Sequence, residues 1–414
     1  MTAINDRLLR SLRERTPGMG LTREFYTDAE LFELDLQQIF YEDWLFVAHS
    51  AELPETGSYL TLQIGAYPIV LTRAADGLIR AFVNTCRHRG ARVCPEPSGK
   101  AAKLVCPYHQ WTYNLDGRLF AARQMGSGFD RSPLSLKSVH CETVAGYVFV
   151  CLAVQAPDFG PTRRHLEPYL LPHRLSEARV AFQSTIIEEG NWKLVWENNR
   201  ECYHCASNHP ELARIYSDRP TITSLSGAAD DPRIIEHWRH CELAGVASEL
   251  KLSPDGQMRT ARMPLLEPAE SYTMTGEPAV KRRLSDSIPS DLNIGTLLLF
   301  HYPTTWNHFL GDHAISFRVL PLGPTRTELT TQWLVHRDAV EGVDYDIEEL
   351  TRVWLATNEQ DQRIVRENQI GMNCPSYEPG PLSNMTEGGV RQFIDWYCSR
   401  IKQRLSPASL REAS

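Results

Sequence analysis

The sequence has none of the long apolar segments that mark membrane and secreted proteins. It contains no run of about eighteen apolar residues and no start that joins basic residues to an uninterrupted apolar core. We therefore predict neither a membrane span nor a secretory signal, and we expect a cytoplasmic protein. Its 51 acidic and 43 basic residues give a net charge of −8, which argues against nucleic-acid binding.

Two signatures of electron transfer from nicotinamide cofactors are also missing. The chain has no Gly-x-Gly-x-x-Gly dinucleotide fingerprint and no Cys-x4-Cys-x2-Cys ferredoxin spacing. It is therefore not expected to take electrons from NAD(P)H itself. Any redox chemistry would need a separate NAD(P)H-dependent reductase of the flavin or ferredoxin type.

Two cysteine–histidine pairs indicate a metal centre. Cys86-Arg-His88 is followed seventeen residues later by Cys106-Pro-Tyr-His109, so the chain offers two thiolates and two imidazoles. This is the ligand set of a Rieske [2Fe–2S] cluster, with the thiolates on one iron and the imidazoles on the other. A structural zinc site is the alternative. Zinc fingers usually pair like with like along the chain, whereas each pair here mixes one Cys with one His.

The segments around these pairs have β-strand patterns. Residues 59–64 and 69–72 alternate or run apolar ahead of a turn at Asp76-Gly77. Asp116-Gly117 marks another turn after the second pair. The pattern predicts two metal-bearing loops that project from a small antiparallel β domain.

His204 and His209 form a second candidate site. They stand five residues apart, which on a regular α-helix separates them by about 140°. A π-bulge, or a helix end just before Pro210, would bring them together. Alone, the pair is equally consistent with two surface histidines at a frayed helix end.

Together the two motifs resemble the large (alpha) oxygenase subunit of Rieske non-haem iron oxygenases. In that family a Glu/Asp-x-x-His-x4-His segment follows the Cys-x-His…Cys-x-x-His motif, and Glu201-Cys-Tyr-His204 with His209 fits it. The resemblance implies a Rieske [2Fe–2S] cluster at the first motif and a mononuclear Fe(II) at the second.

The family completes its iron site with a carboxylate near the C-terminus. Asp361 is the best match, with Glu359 and Glu367 as competitors for the third-ligand role. The resemblance further implies that the acidic residue of the second motif, here Glu201, bridges a histidine of the cluster and a histidine of the iron. Most aromatic-ring dioxygenases have Asp at that position. A solvated helix glutamate is the ordinary alternative.

Further segments resemble the branch of this family that acts on quaternary ammonium compounds. These segments are 200–205, 300–303, 306–309, 338–346 and 375–381. The resemblance implies a terminal oxygenase that uses O2 and reductase-supplied electrons to demethylate a betaine, either proline betaine (stachydrine) or glycine betaine, with release of formaldehyde. An aromatic-ring dioxygenase, a carnitine- or choline-type monooxygenase, and a zinc-stabilised scaffold protein are the alternatives.

The family also sets the expected architecture, which is α+β. We expect a small antiparallel β Rieske domain and a catalytic domain with a curved antiparallel sheet covered by helices, of the helix-grip type. A helical lead-in, in which Leu31, Leu34 and Ile39 have helical spacing, should pack on the catalytic domain. The three segments are residues 1–40, 41–155 and 156–414. Family members form homotrimers, and we expect one here.

Within the catalytic domain we expect a strand over residues 327–335 and a long helix over 344–369. Residues 217–233 are rich in Ser, Asp, Gly and Pro. They read either as a mobile loop that borders the active site or as an ordinary surface insertion.

Aromatic side chains are the expected binding groups for a quaternary ammonium, which has no N–H to donate. Tyr203, Trp306 and Phe309 lie in or near the family-like segments, and Trp192 and Trp196 are alternatives. Aromatic residues at such spacing also commonly fill a hydrophobic core.

The chain has ten cysteines. With Cys86 and Cys106 as cluster ligands, the others are expected to stay reduced, as is usual in the cytoplasm. We interpret Cys202 and Cys205, which flank His204, as packing thiols.

Overall fold

A computed structural model describes residues 2–126, 128–216 and 230–405, with side chains from residue 5 onward. The chain divides into two units. The first, called the β unit, comprises Phe40–Gly160 and Leu175–Glu177. The second, called the mixed unit, comprises Met1–Ile39, Pro161–Arg174 and Ala178–Ser414.

The β unit is built on a seven-stranded antiparallel sheet, in the order β1-β10-β9-β4-β3-β2-β5. A small three-stranded sheet, β6-β7-β8, carries the second cysteine–histidine pair. The predicted turn at Gly77 joins β3 to β4, and its φ of +79° is one that glycine adopts without strain. The strands are β1 Leu45–His49, β2 Ser58–Ile64, β3 Tyr67–Arg73, β4 Ile79–Val83, β5 Ser98–Lys100, β6 Leu104–Val105, β7 Thr112–Tyr113, β8 Leu119–Ala121, β9 Ser138–Val144 and β10 Tyr147–Cys151.

The mixed unit contains a second seven-stranded antiparallel sheet, in the order β11-β17-β16-β15-β14-β13-β12. Six consecutive strands pair as a meander, and β11 joins at its far edge. The expected strand over 327–335 is present within β17. The strands are β11 Ala178–Glu188, β12 Lys251–Leu252, β13 Met258–Met263, β14 Thr296–His301, β15 Thr305–Phe309, β16 Ala314–Gly323 and β17 Arg326–His336.

Helices pack against this curved sheet, and the predicted α+β class is confirmed. The expected long helix begins after its N-cap residue Asp346, whose side chain accepts the Glu349 N–H. The α-helices are α1 Thr2–Glu14, α2 Glu24–Thr27, α3 Ala29–Asp35, α4 Gly160–Leu170, α5 Trp192–Asn199, α6 Cys205–Asn208, α7 Pro232–Leu243, α8 Ile347–Met372 and α9 Gly388–Arg404.

The lead-in helices are tied to α5 and α9 by a buried polar network. Asp35 accepts hydrogen bonds from the Trp192 indole at 3.0 Å and from the Tyr397 hydroxyl at 2.7 Å. It also forms an ion pair with Lys193, whose side chain is fully buried. The Tyr26 hydroxyl donates to Glu197 at 2.8 Å. These bonds fix α5, the helix that leads into the second histidine motif.

No helix in the described part of the chain is long and apolar enough to cross a membrane. The predicted loop of residues 217–233 lies outside the described residues as far as residue 229. Its last residues enter α7, where the side chain of Asp231 caps the helix by accepting the Arg233 N–H.

Candidate active site

Three side chains of the mixed unit converge on one point. The Nε2 atoms of His204 and His209 lie 3.0 Å apart. Oδ1 of Asp361 lies 3.3 Å from the first and 3.1 Å from the second. Two ligand atoms at right angles around an ion, each bonded at about 2.1 Å, are about 3.0 Å apart. The spacing therefore fits the facial arrangement of two imidazoles and one carboxylate that binds non-haem Fe(II).

The two histidines do not lie on one continuous helix. Helix α5 ends at Asn199, and the one-turn helix α6 separates His204 from His209. The backbone of His209, with φ −120° and ψ 70°, closes that turn ahead of Pro210. Of the two devices considered from the sequence, the helix end and not a π-bulge brings the imidazoles together.

Asp361 reaches this point from the middle of α8. Its two sequence competitors do not, because Glu359 and Glu367 are both exposed. Glu367 instead pairs with its neighbour Arg366 at 3.0 Å. The geometry thus favours Asp361 as the third ligand.

Each histidine of the triad is held through its other ring nitrogen. Nδ1 of His204 lies 2.5 Å from Oε1 of Glu201, and Nδ1 of His209 lies 2.8 Å from the amide oxygen of Gln360. The amide nitrogen of Gln360 donates in turn to Glu211 at 2.8 Å. An acceptor at Nδ1 places the proton there and leaves the Nε2 lone pair free, as metal ligation requires.

The carboxylates make this point attractive to a cation. Burial lowers the pKa of His204, but hydrogen bonds to Asp361 and Glu201 outweigh burial and raise it to about 9. Asn198 donates to Oδ1 of Asp361 at 3.0 Å, which fixes the orientation of that carboxylate. Since a divalent ion would replace the proton as the compensating charge, the donor set and its electrostatics both fit iron.

A disulfide bond flanks the first histidine of the triad. Cys202 and Cys205 are joined to each other, so the prediction that both stay reduced is wrong. The bond spans the turn that holds His204 and takes both sulfurs out of competition for the ion. The remaining eight cysteines are free thiols in the structure.

The two cysteine–histidine loops of the β unit have the same backbone hydrogen bonds. The Cys86 N–H donates to the carbonyl of Ala91 at 2.8 Å, and the Gly90 N–H donates back to Cys86 at 3.0 Å. The equivalent bonds in the loop of Cys106 measure 2.9 and 3.0 Å. The fifth residue of each loop has a left-handed backbone, with φ +83° at Gly90 and +59° at Gln110. The two loops therefore share one backbone geometry.

The four candidate cluster ligands form a cysteine pair and a histidine pair. Cys86 and Cys106 are buried with their thiols within hydrogen-bonding reach of each other. The ring centroids of His88 and His109 lie 4.6 Å apart. His88 is exposed and stacks on Trp111 at 4.8 Å. Two buried sulfurs beside two accessible imidazoles fit a Rieske cluster that exchanges electrons through its histidines.

Tyr113 is a functional candidate that the sequence analysis missed. Its hydroxyl accepts the N–H of Arg87 at 2.9 Å and lies 3.3 Å from Sγ of Cys86. A cluster-ligating Cys86 would be a thiolate, which can only accept, so the Tyr113 hydroxyl would be the donor to the sulfur. Hydrogen bonds to cluster sulfurs raise the reduction potential.

The iron-ligand triad lines a cavity of about 100 Å³, counted as the space open to the centre of a water molecule. One water needs roughly 10–15 Å³ of such space, so the cavity suits a small organic molecule. Aromatic rings form much of its wall. The lining aromatic residues are Tyr216, Tyr272, Phe300, Trp306, His308 and Trp354.

Of the three aromatic residues predicted to bind substrate, the structure places only Trp306 in this wall. Tyr203 is 68% exposed and does not line the cavity. Phe309 is fully buried and packs on His173, with ring centroids 5.2 Å apart. Neither residue lines the cavity. For Phe309 the reason is that alternate residues of a strand point to opposite faces and Phe309 lies three positions after Trp306. Trp192 and Trp196 are fully buried core residues.

Trp354 lines the cavity, and its position there could have been predicted from the sequence. It precedes Asp361 by seven residues on α8, and positions seven apart lie on one helix face. Once Asp361 is assigned, this spacing predicts that Trp354 faces the same cavity. Tyr272 had no such signal, because its place depends on the fold of a loop.

Comparisons with known proteins agree with this geometry. A family model for the Rieske [2Fe-2S] domain matches residues 43–141. A family model for the ring hydroxylating alpha subunit, catalytic domain, matches residues 175–403. The candidate cluster ligands lie within the first match and the iron-ligand triad within the second.

The chain is 46% identical to the glycine betaine monooxygenase oxygenase subunit of Chromohalobacter salexigens, over 98% of this chain and 91% of that one. It is 44% identical to the subunit of the same name from Pseudomonas aeruginosa PAO1, over 96% and 92%.

Solved structures show the same fold. A quaternary ammonium Rieske monooxygenase, CntA, covers 94% of this chain and 97% of its own with a TM-score of 0.71 at 20% identity. Naphthalene 1,2-dioxygenase from Rhodococcus sp. covers 97% and 98% with a TM-score of 0.69 at 18% identity. The chain belongs to the Rieske non-haem iron oxygenases, as a large (alpha) oxygenase subunit in the branch that contains the glycine betaine monooxygenase oxygenase subunits.

Proposed function

We propose that this protein is the terminal oxygenase component of an oxidative N-demethylase whose substrate is glycine betaine or proline betaine (stachydrine). The observation that carries the proposal is the small aromatic-walled cavity that opens on His204, His209 and Asp361. Relatives named as glycine betaine monooxygenase subunits support it at 44–46% identity. Carnitine monooxygenase oxygenase subunits match about half of the chain at 34–36% identity.

Two metal cofactors serve the family, a Rieske [2Fe–2S] cluster and a mononuclear iron. We assign the first to Cys86, His88, Cys106 and His109. We assign the second to the His204, His209 and Asp361 triad. When bound, the cluster passes single electrons and the iron activates O2. Rieske oxygenases receive their electrons from a separate reductase, in agreement with the absence of a dinucleotide fingerprint in this sequence.

Glu201 is the proposed link between the two ligand sets. One of its oxygens holds the Nδ1 proton of His204, and the other accepts backbone N–H groups of its own loop, including that of His204 at 3.3 Å. A carboxylate has about four lone-pair positions, so one remains for a further donor. We assign that donor to His109 of a neighbouring subunit in a homotrimer.

The aromatic wall is the proposed binding surface for the cationic nitrogen. Trp306 and Trp354 both lie in contact with Phe317, at centroid distances of 5.1 Å each, and this packing holds their rings rigidly at the cavity. A quaternary ammonium placed against such faces is attracted by about 0.5–2 kcal/mol per ring. The side chains thereby present an N-methyl group to the triad and exclude bulk water from it.

The proposed reaction replaces one methyl C–H bond by C–OH. One atom of O2 enters the substrate. The other is reduced to water by two electrons from the reductase and two protons. The carbinolamine then loses its hydroxyl proton, the C–N bond breaks, and its electron pair stays on nitrogen. The products are formaldehyde and a tertiary amine.

The test is a substrate panel assayed with a reconstituted reductase. Glycine betaine, proline betaine, carnitine, choline and an aromatic acid are each incubated with the enzyme, and formaldehyde and the demethylated amine are quantified. We expect formaldehyde from the two betaines, and more than from carnitine or choline. A dihydrodiol from the aromatic acid without formaldehyde from any amine would replace the proposal by ring hydroxylation.

A further inference from the structure

Two buried arginines line the active-site cavity without an acidic partner. Arg200 is 8% exposed and Arg259 is 6% exposed, and both border the cavity. No described Asp or Glu forms an ion pair with either of them. A buried charge is costly unless it is paired, so this pair requires an explanation.

Arg200 directly follows α5 and precedes the motif residue Glu201. Its Nε donates to the hydroxyl of Tyr302 at 2.9 Å, and that hydroxyl donates to Gln392 at 2.7 Å. The guanidinium carbon lies 4.1 Å from the ring centroid of Phe300, while Nη2 has no hydrogen-bond partner among the described residues. The Nε edge of Arg200 is thus fixed by the protein, while Nη2 is enclosed without a partner in the described part of the chain.

Arg259 comes from the neighbouring strand. It lies on β13 opposite Phe300 of β14, and its guanidinium carbon is 5.7 Å from that ring. Its Nε has no partner among the described residues. Burial, and next the charge of Arg200, lower the pKa of Arg259 to about 9. Two like charges therefore lie beside each other at the cavity, where a bound anion would reduce their repulsion.

Two other buried cations of the mixed unit have polar partners within the protein. Lys193 pairs with Asp35. Arg262, on the same strand as Arg259, donates to the carbonyl of Ile294 at 3.3 Å and lies 3.1 Å from Nε2 of His173. Arg262 does not border the cavity. Nε of Arg262 also lacks a partner among the described residues, so the feature that distinguishes Arg200 and Arg259 is that they border the cavity.

We propose that Arg200 and Arg259 bind the carboxylate of the substrate while the aromatic wall binds its quaternary ammonium. The inference rests on the proposed function and deepens it, because it makes the carboxylate the feature that is selected. A guanidinium presents its donors in a fixed fork that matches a carboxylate. A zwitterionic betaine would fill both ends of the cavity, whereas choline would leave both arginines unpaired.

The test compares glycine betaine with its neutral amide, in which –CONH2 replaces the carboxylate at nearly constant size. Binding is measured by titration calorimetry on the full-length oxidised protein without reductase, so that no turnover occurs. The variants are Arg259→Met, Arg259→Lys and, as a matched buried arginine outside the cavity, Arg262→Met. The visible cluster spectrum reports the integrity of the β unit, and the circular dichroism spectrum reports the fold of each variant.

We expect the parent protein to bind the carboxylate ligand more tightly than the amide. In Arg259→Met this preference should fall by about 10- to 100-fold, as for loss of a hydrogen bond to a charged group. Arg259→Lys should keep part of the preference, and Arg262→Met should keep all of it. An unchanged preference in Arg259→Met, or an equal loss of affinity for both ligands, would overturn the inference.

Formaldehyde assays on the parent enzyme separate the two proposals. Formaldehyde from glycine betaine together with an unchanged preference in Arg259→Met would leave the demethylase function standing and remove the arginine site. Absence of formaldehyde from every quaternary ammonium compound would remove the function itself, and the inference with it.

Discussion

Nδ1 of His204 lies 2.5 Å from Oε1 of Glu201, three residues earlier in the chain. The same carboxylate accepts the His204 backbone N–H. Both the ring and the backbone of this candidate ligand are therefore set by one side chain, and any change in the charge of Glu201 reaches the triad directly.

Changing Glu201 to Gln keeps the volume and removes that charge. We expect both metals to stay bound and turnover to fall by about 10- to 100-fold, the usual effect of losing a partner behind a metal ligand. Iron content and the rate of cluster reoxidation by O2 in the presence of substrate are the measurements. Reoxidation at the parent rate would show that Glu201 does not link the two centres.

Asp361→Ala tests the third ligand. With only two imidazoles left, the mononuclear iron should be lost while the visible Rieske spectrum is unchanged. Glu359→Ala and Glu367→Ala are the controls, because both side chains are exposed on the same helix, and each should keep full iron content by metal analysis. If iron were lost from one of the controls and kept in Asp361→Ala, the glutamate replaced in that control would be the third ligand instead.

Tyr113→Phe tests the hydrogen bond to the cluster sulfur. The variant should keep the Rieske spectrum, but its reduction potential should fall, because the donor that stabilises charge on Cys86 is gone. Redox titration followed by visible absorption measures this. Cys106→Ala, in contrast, should abolish the spectrum. A Cys106→Ala variant with a full spectrum would contradict the ligand assignment, and an unshifted potential would contradict the role of Tyr113.

Trp306→Leu tests the aromatic wall. Loss of one cation–π contact should raise the apparent KM for a betaine by about 2- to 30-fold and leave both metal centres intact. Phe309→Leu is the matched control on the same strand, since Phe309 faces away from the cavity, and its KM should be close to that of the parent. Equal KM values in the two variants would place the cation elsewhere.

The metal-binding motifs could be predicted from the sequence because their ligands are close along the chain. Cys86 with His88 and His204 with His209 are separated by a few residues, so their spacing is informative without a fold. Alternation of apolar residues likewise identified β2 and β3. The identification of the family on these motifs is confirmed by the family models and by a relative that matches 98% of the chain.

The cavity wall could not be predicted in the same way. Arg259 meets Phe300 only because β13 pairs with β14, and Tyr272 reaches the wall from a loop. The Cys202–Cys205 bond shows a different limit. The Cys-x-x-Cys pattern is present in the sequence, but thiols are expected in the cytoplasm. In the structure the two cysteines are close enough to be joined by a disulfide bond.

The most direct test of demethylation is the stoichiometry of formaldehyde to O2. With reconstituted reductase and glycine betaine or proline betaine as the substrate, we predict one formaldehyde and one singly demethylated amine for each O2 consumed. Oxygen uptake that yields hydrogen peroxide and no formaldehyde from either betaine would contradict the account.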